Sequence, residues 1–155
     1  MTDIMTPEDR SRLMATIKSR NTKPEVFVRH LLWHAGYRYG LKSRLPGHPD
    51  LYLRKYHTAI FVNGCFWHRH PGCKMATSPK SNVEFWTAKF TANTARDRRV
   101  HDELRNEHHV RVIVIWECTI RRAMRRTDTE SASALLASLE DFLTNPDSTG
   151  DYLEL

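Results

Sequence analysis

Ala59-Ile60-Phe61-Val62-Asn63-Gly64-Cys65-Phe66-Trp67-His68-Arg69-His70-Pro71-Gly72-Cys73 is the stretch around which the chain is organised. A β-branched and aromatic run breaks at Asn-Gly and opens into a loop holding two cysteines, two histidines and two adjacent aromatics. The run predicts a strand over residues 58–62. Upstream, Asp50-Leu51-Tyr52-Leu53 emerges from the breaker cluster Pro46-Gly47-His48-Pro49. Arg54-Lys55-Tyr56-His57 reads as a turn, so the two strands form a hairpin. Downstream, residues 110–116 (Val-Arg-Val-Ile-Val-Ile-Trp) carry the strongest strand signal and predict a central strand, with Cys118 just past its end.

Helices fill the spaces between. Thr6-Pro7-Glu8-Asp9 has a capping threonine, a proline at the first helical position and acid in the first turn, predicting a helix to about Ser19. With Arg10, Arg12, Lys18 and Arg20 it makes a basic N-terminal helical arm over about residues 1–20. Thr22-Lys23-Pro24-Glu25 has capping-box spacing and starts a second helix, which Gly36 is placed to end. Glu25 then caps that helix through the Thr22 amide, or offers its carboxylate to a metal site. Tyr37–Leu41 alternates as a first strand would. Ser81-Asn82-Val83-Glu84 is a second capping-box pattern, opening a long helix to about Asn106 with Phe85, Trp86, Phe90, Val100 and Leu104 on its apolar positions. Asp97 sits there among arginines, where a salt bridge is the simplest reading. Thr127 or Asp128 caps a final helix that buries Leu135, Leu136, Leu139 and Phe142, Asn145-Pro146-Asp147 ends it, and a polar tail follows.

This order predicts one α/β domain over residues 1–155, with a central mixed sheet flanked by helices. Lys and Arg number 24 against 18 Asp and Glu, a net charge of +6 that favours a polyanionic partner. No apolar run reaches the roughly 20 residues of a membrane span, and Asp3, Glu8 and Asp9 do not fit a signal peptide, so a cytoplasmic protein is expected. In a reducing compartment its three cysteines point to metal ligation or burial, not to disulfides.

Cys65, His70, Cys73 and Cys118 make a Cys3His set suited to closed, structural tetrahedral zinc, with His68 as an alternative fourth ligand and three buried free thiols as the alternative to zinc. Asp50 and Glu25 offer oxygens to a hard divalent ion such as magnesium, which takes one or two carboxylates and completes its shell with water and substrate phosphates. His68 is then free for general acid–base work. Phe66, Trp67 and Trp86 either fill the core or wedge between base pairs.

Together, G-C-F-W-H-x-H with a following Cys, the upstream Pro-Gly-x-Pro-Asp, and the downstream E-F-W, R-D-R-R and V-I-W-E-C resemble the very short patch repair endonucleases, over roughly residues 8–125. The resemblance implies a restriction-endonuclease-like fold and a monomeric bacterial enzyme, associated with the nucleoid when on DNA. It would nick double-stranded DNA 5′ to the thymine of a T:G mismatch that arises from 5-methylcytosine deamination, alongside other mismatch-repair proteins. It implies Asp50 and the Val62 carbonyl as magnesium ligands, His68 as the catalytic histidine, and Glu25 and Asp97 as its support. Cys65, His70, Cys73 and Cys118 would bind zinc, and Phe66, Trp67 and Trp86 would enter the DNA beside the mismatch. The chain departs from the family pattern at Asn63, where members often carry a second histidine that shares in positioning the attacking water. It also departs at Pro71-Gly72, which lengthens the His70–Cys73 spacing by one residue. The rival readings are a restriction-type endonuclease of the same fold and a non-catalytic zinc-stabilised DNA-binding module.

Overall fold

The computed structural model describes residues 5–155; residues 1–4 of the expected basic arm lie outside it. The elements in order are α1 (Pro7–Thr16), α2 (Lys23–His34), β1 (Leu51–Leu53), a 3-10 turn (Arg54–Tyr56), β2 (Thr58–Asn63), α3 (Val83–Asn106), β3 (Arg111–Trp116), α4 (Glu117–Ala123), α5 (Thr129–Thr144), α6 (Pro146–Thr149) and β4 (Tyr152–Glu154). They form a mixed α/β fold around a four-stranded sheet of order β1-β2-β3-β4. β1 runs antiparallel to β2, whereas β2–β3 and β3–β4 are parallel.

The alternation of a sheet's side chains sorts the strands' residues into two cores. On one face Leu51, Leu53, Ile60, Ile113 and Ile115 pack with Val28 and Leu32 of α2, Ile120 of α4 and Leu135, Leu139, Phe142 and Leu143 of α5. On the other, Ala59, Phe61, Val112, Val114 and Trp116 pack with Leu104 of α3 and with Cys65. The β1–β2 hairpin is the one expected, closed by His57 in the left-handed conformation (φ 47°). β3 is central, as its composition predicts. Among the described residues no helix is long and apolar enough to cross a membrane.

Several expectations are corrected. Residues 37–41 do not form a strand: Gly40 makes one isolated bridge to Tyr52, while Tyr37 and Tyr39 pack sideways onto the core. The residues after α6 are not a free tail but β4, because Tyr152, Leu153 and Glu154 find the open edge of β3. The first helix stops at Thr16 and not near Ser19, with Ile17 extended at its C-cap, and Leu13, Met14 and Ile17 are exposed. The second capping box does not form, since Asn82 sits at the α3 N-cap in the left-handed region (φ 51°) without a side-chain cap bond. Glu25 reaches back to the Asn21 amide (2.8 Å), not to that of Thr22. In α5 the buried partner of Phe142 is Leu143, and Leu136 is only half-buried. Phe85 stays exposed on α3.

The loop that leads to Asp50 is seated by Gly47. Its φ is +73°, and a Cβ there would overlap the Cγ1 of Val100 on α3. Gly47→Ala is therefore expected to combine left-handed strain with overpacking and to cost about 2–4 kcal/mol. A urea melt that moves by less than about 1 kcal/mol would show that the loop can lift off α3 cheaply.

Candidate active site and metal centre

The carboxyl ends of β2 and β3 lie side by side, with Val62 opposite Ile115 and Asn63 opposite Trp116. Asp50, at the mouth of β1, accepts a 2.7 Å hydrogen bond from the Val62 amide. This pins the carboxylate beside the carboxyl end of β2. Burial pushes the Asp50 pKa up to about 6; the Val62 bond opposes the shift, Glu25 adds to it, and Arg29 and His68 oppose it. An acid held this way is costly to ionise alone and gains from a cation beside it.

Glu25 is itself buried. Its Oε2 accepts from the Asn21 amide at 2.8 Å and from Arg29 Nη2 at 3.3 Å, while its own amide donates to Thr22 Oγ1 at 3.4 Å. The capping geometry thus leaves the carboxylate close enough to Asp50 to act on it electrostatically. The cap runs through Asn21 and not through the expected Thr22 amide, and the carboxylate faces Asp50 as well.

His68 lies in the loop after β2, and its Nδ1 meets Asp97 Oδ2 of α3 at 2.6 Å. Arg96 stands farther from Asp97, at 3.8 Å, so the expected salt bridge to arginine is secondary to the histidine. A carboxylate on Nδ1 sets the ring's orientation and leaves Nε2 for a proton on substrate or water. Asn63 is buried at the end of β2. Val62, His68, Glu25, Gly64 and Trp67 line one cleft of about 680 Å³, whose far wall is Met14, Ile17 and Lys18 of the arm.

Replacing Asp97 by Asn should lower the turnover of DNA nicking about 10- to 100-fold with DNA affinity unchanged, because the ring is released while no binding surface is lost. An equal loss of affinity would mean that Asp97 organises the DNA surface and not the histidine.

In the loop after β2 and on α4, Cys65, His70, Cys73 and Cys118 place one ligand atom each within 4.8 Å of one another. The His70 Nδ1 lies 3.7 Å from Cys65 Sγ and 3.4 Å from Cys118 Sγ. A tetrahedral zinc with its usual bond lengths separates sulfur and nitrogen ligands by about 3.6 Å, so the donor set and spacing fit a closed Cys3His site. Burial pushes the Cys65 thiol up to about 12, and the backbone amide of Met75 chiefly lowers Cys73. His68, the alternative fourth ligand by spacing, points instead to Asp97.

The aromatics form one cluster. Phe66 lies 5.1 Å from Trp67 and 5.6 Å from Trp86, and Trp67 lies 5.8 Å from Trp86. Phe90 backs the group, and all three rings keep part of their surface exposed. Lys89 holds its ammonium over Trp67 and Trp86, and Asn93 donates to the Trp67 carbonyl at 3.1 Å. Arg69 ties the loop to Ala76, Thr77 and Ser78 and lies over Phe90. Lys89, Asn93, Arg69 and Arg29 were not legible as site residues. Only the helical spacing of Trp86, Lys89, Phe90 and Asn93 hinted at a shared face.

Known proteins bear on this site. The family model described as DNA mismatch endonuclease Vsr matches residues 2–74. The DNA mismatch endonuclease Vsr of Escherichia coli is 35% identical over 144 residues, 92% of this chain and 88% of that protein. A type II nicking enzyme of Xanthomonas oryzae pv. oryzae is 45% identical over 121 residues, covering 77% of this chain and 88% of that enzyme. One from Neisseria meningitidis is 45% identical over 122 residues, 78% and 86% of the two chains. With this degree of likeness along nearly its whole length, the chain belongs to the Vsr family of DNA mismatch and nicking endonucleases.

Proposed function

We propose that this protein nicks double-stranded DNA 5′ to the thymine of a T:G mismatch left by 5-methylcytosine deamination, and so starts very short patch repair. In this reading residues 1–155 act as a single domain and a monomer, with a restriction-endonuclease-like sheet. The observation that carries it is the 2.6 Å His68–Asp97 pair set beside the clamped Asp50 carboxylate.

Asp50 and the Val62 carbonyl would hold a magnesium ion. Once bound, the ion supplies Lewis-acid stabilisation of the charge that builds up on phosphate oxygens. The protein does the rest. His68 moves the proton at Nε2, Asp97 holds its ring, and Glu25, fixed by Asn21 and Arg29, keeps the field at Asp50 negative. Asn63 fills the buried position where relatives often carry a second histidine, which leaves His68 as the proton carrier. Phe66, Trp67 and Trp86 supply a pre-stacked edge that can part base pairs, with the unstacking cost offset by new contact. Lys89 sits over that edge, where a DNA phosphate would meet it. Cys65, His70, Cys73 and Cys118 would hold structural zinc, which ties the loop to α4.

The test is nicking of a T:G duplex and its T:A counterpart in magnesium, with the cut mapped at nucleotide resolution. A single cut 5′ to the mispaired thymine and at least about 100-fold preference over the matched duplex is the expected result. Equal cutting of both sinks the mismatch specificity and leaves a nicking enzyme of other preference.

A further inference from the structure

Trp116 is the last residue of β3 and lies between two things that the mechanism does not connect. Its indole stacks flat on His70, with ring centroids 4.3 Å apart and planes 7° from parallel. Its Nε1 donates to Glu154 Oε1 of β4 at 2.7 Å. The other oxygen of Glu154 accepts from the Tyr152 hydroxyl at 3.1 Å, so the carboxylate is held from both sides. The main chain repeats the arrangement: Trp116 N donates to Leu155 O at 2.8 Å, and Leu155 N donates to Val114 O at 2.9 Å.

We infer that Glu154 is a positioning residue for the zinc site, acting through Trp116. The physical argument rests on what fixes an indole's orientation. Trp116 is buried, and stacking alone lets a flat ring slide and rotate against its neighbour. An N–H donor can be satisfied in one direction only, and leaving it unmet in a buried place is unfavourable. The charge-assisted bond to Glu154 therefore selects one rotamer of Trp116, and that rotamer presents the plane against which His70 lies. Leu155, the residue directly after β4, fixes the Trp116 backbone, and Cys118 follows two residues later. Two of the four zinc ligands, one from the loop and one from α4, thus depend on β4 for their relative placement. The outer hydrogen bonds and packing of a metal ligand are what hold it in its binding orientation.

This inference rests on the zinc reading, and its test separates the two. Zinc is measured per chain, and its release to a coloured chelator is timed for wild type, Glu154→Leu, Glu154→Gln and Trp116→Phe, with circular dichroism to check folding. Glu154→Leu is expected to release zinc about five- to tenfold faster, the loss of one well-oriented hydrogen bond, and Glu154→Gln within about twofold of wild type, because an amide oxygen still accepts from the indole. Trp116→Phe keeps a ring for His70 and removes the donor, so it should also release faster. In that background Glu154→Leu should add nothing. A purely structural strand contact would make the two losses add. Should Glu154→Leu not fold, Trp116→Phe against Glu154→Gln decides: equal rates overturn the inference. Zinc bound at one per chain and released equally fast from all variants overturns the role of Glu154 alone. Wild type that takes up no zinc overturns the metal site itself.

Discussion

Asp50→Asn is expected to abolish nicking while making the metal-free protein more stable at neutral pH. Loss of the proposed cation's main ligand removes several kcal/mol of transition-state stabilisation, on the order of 10³-fold or more in rate. DNA binding should persist, since the grip comes from cations and aromatics elsewhere. The stability gain follows from burial. The folded-state pKa of Asp50 is raised to about 6 from an ordinary 3.8, so between these values the folded protein holds a proton that the unfolded chain has released. Stability contributed by the protonated form is present below about pH 4 and is lost as pH rises through about 6. At pH 7.5 the ionised carboxylate thus costs roughly 2–3 kcal/mol, which an asparagine avoids while still accepting the Val62 bond. Melting curves of metal-free wild type and Asp50→Asn should separate at pH 7.5 and converge near pH 4. Millimolar magnesium should raise the melting temperature of wild type and leave the variant unmoved. Coincident curves at pH 7.5 would mean that Asp50 ionises at no cost and that its burial is relieved by solvent.

The second large effect concerns zinc. Stripping the metal with a strong chelator, or replacing Cys118 by Ser, should lower the melting temperature by roughly 10–20 °C and end nicking. The sheet should survive, because the core on one face is built without the loop and the core on the other takes only Cys65 among its buried residues from it. The apo protein is therefore expected to retain its far-ultraviolet circular dichroism and to become sensitive to protease between Gly64 and Asn82. It loses activity because the same loop carries His68, Phe66 and Trp67. Zinc uptake must also displace the proton of the buried Cys65 thiol, so binding weakens in acid. Unchanged melting after complete chelation would reduce the cluster to packed thiols.

Much of the site was legible because its signals are local. The Asn63-Gly64 break, the clustered cysteines and histidines and the Pro49-Asp50 step are features of composition over a few residues. The hairpin and the central strand follow from β-branched content. The errors have local causes too. Residues 37–41 alternate like a strand, but alternation shows only that side chains face two ways, and here Tyr37 and Tyr39 reach the core from a loop. The pattern Ser81-x-x-Glu84 looks like a capping box, yet Asn82 turns into the left-handed region and takes the cap position itself.

The sequence by itself determined the mixed α/β composition, the places where strands stop, and a list of groups able to bind metal or move a proton. Tertiary structure decided who meets whom. His68 and Asp97 lie 29 residues apart and meet only because α3 crosses back over the end of β2. Cys118 reaches His70, 48 residues earlier, because parallel pairing brings the carboxyl ends of β2 and β3 together. β4 is only three residues long, too short to be read as a strand, and becomes one by supplying the missing hydrogen bonds of the β3 edge. Propensity and periodicity act over a few residues, whereas these pairings are set by burial of the sheet's two faces, which no short window contains.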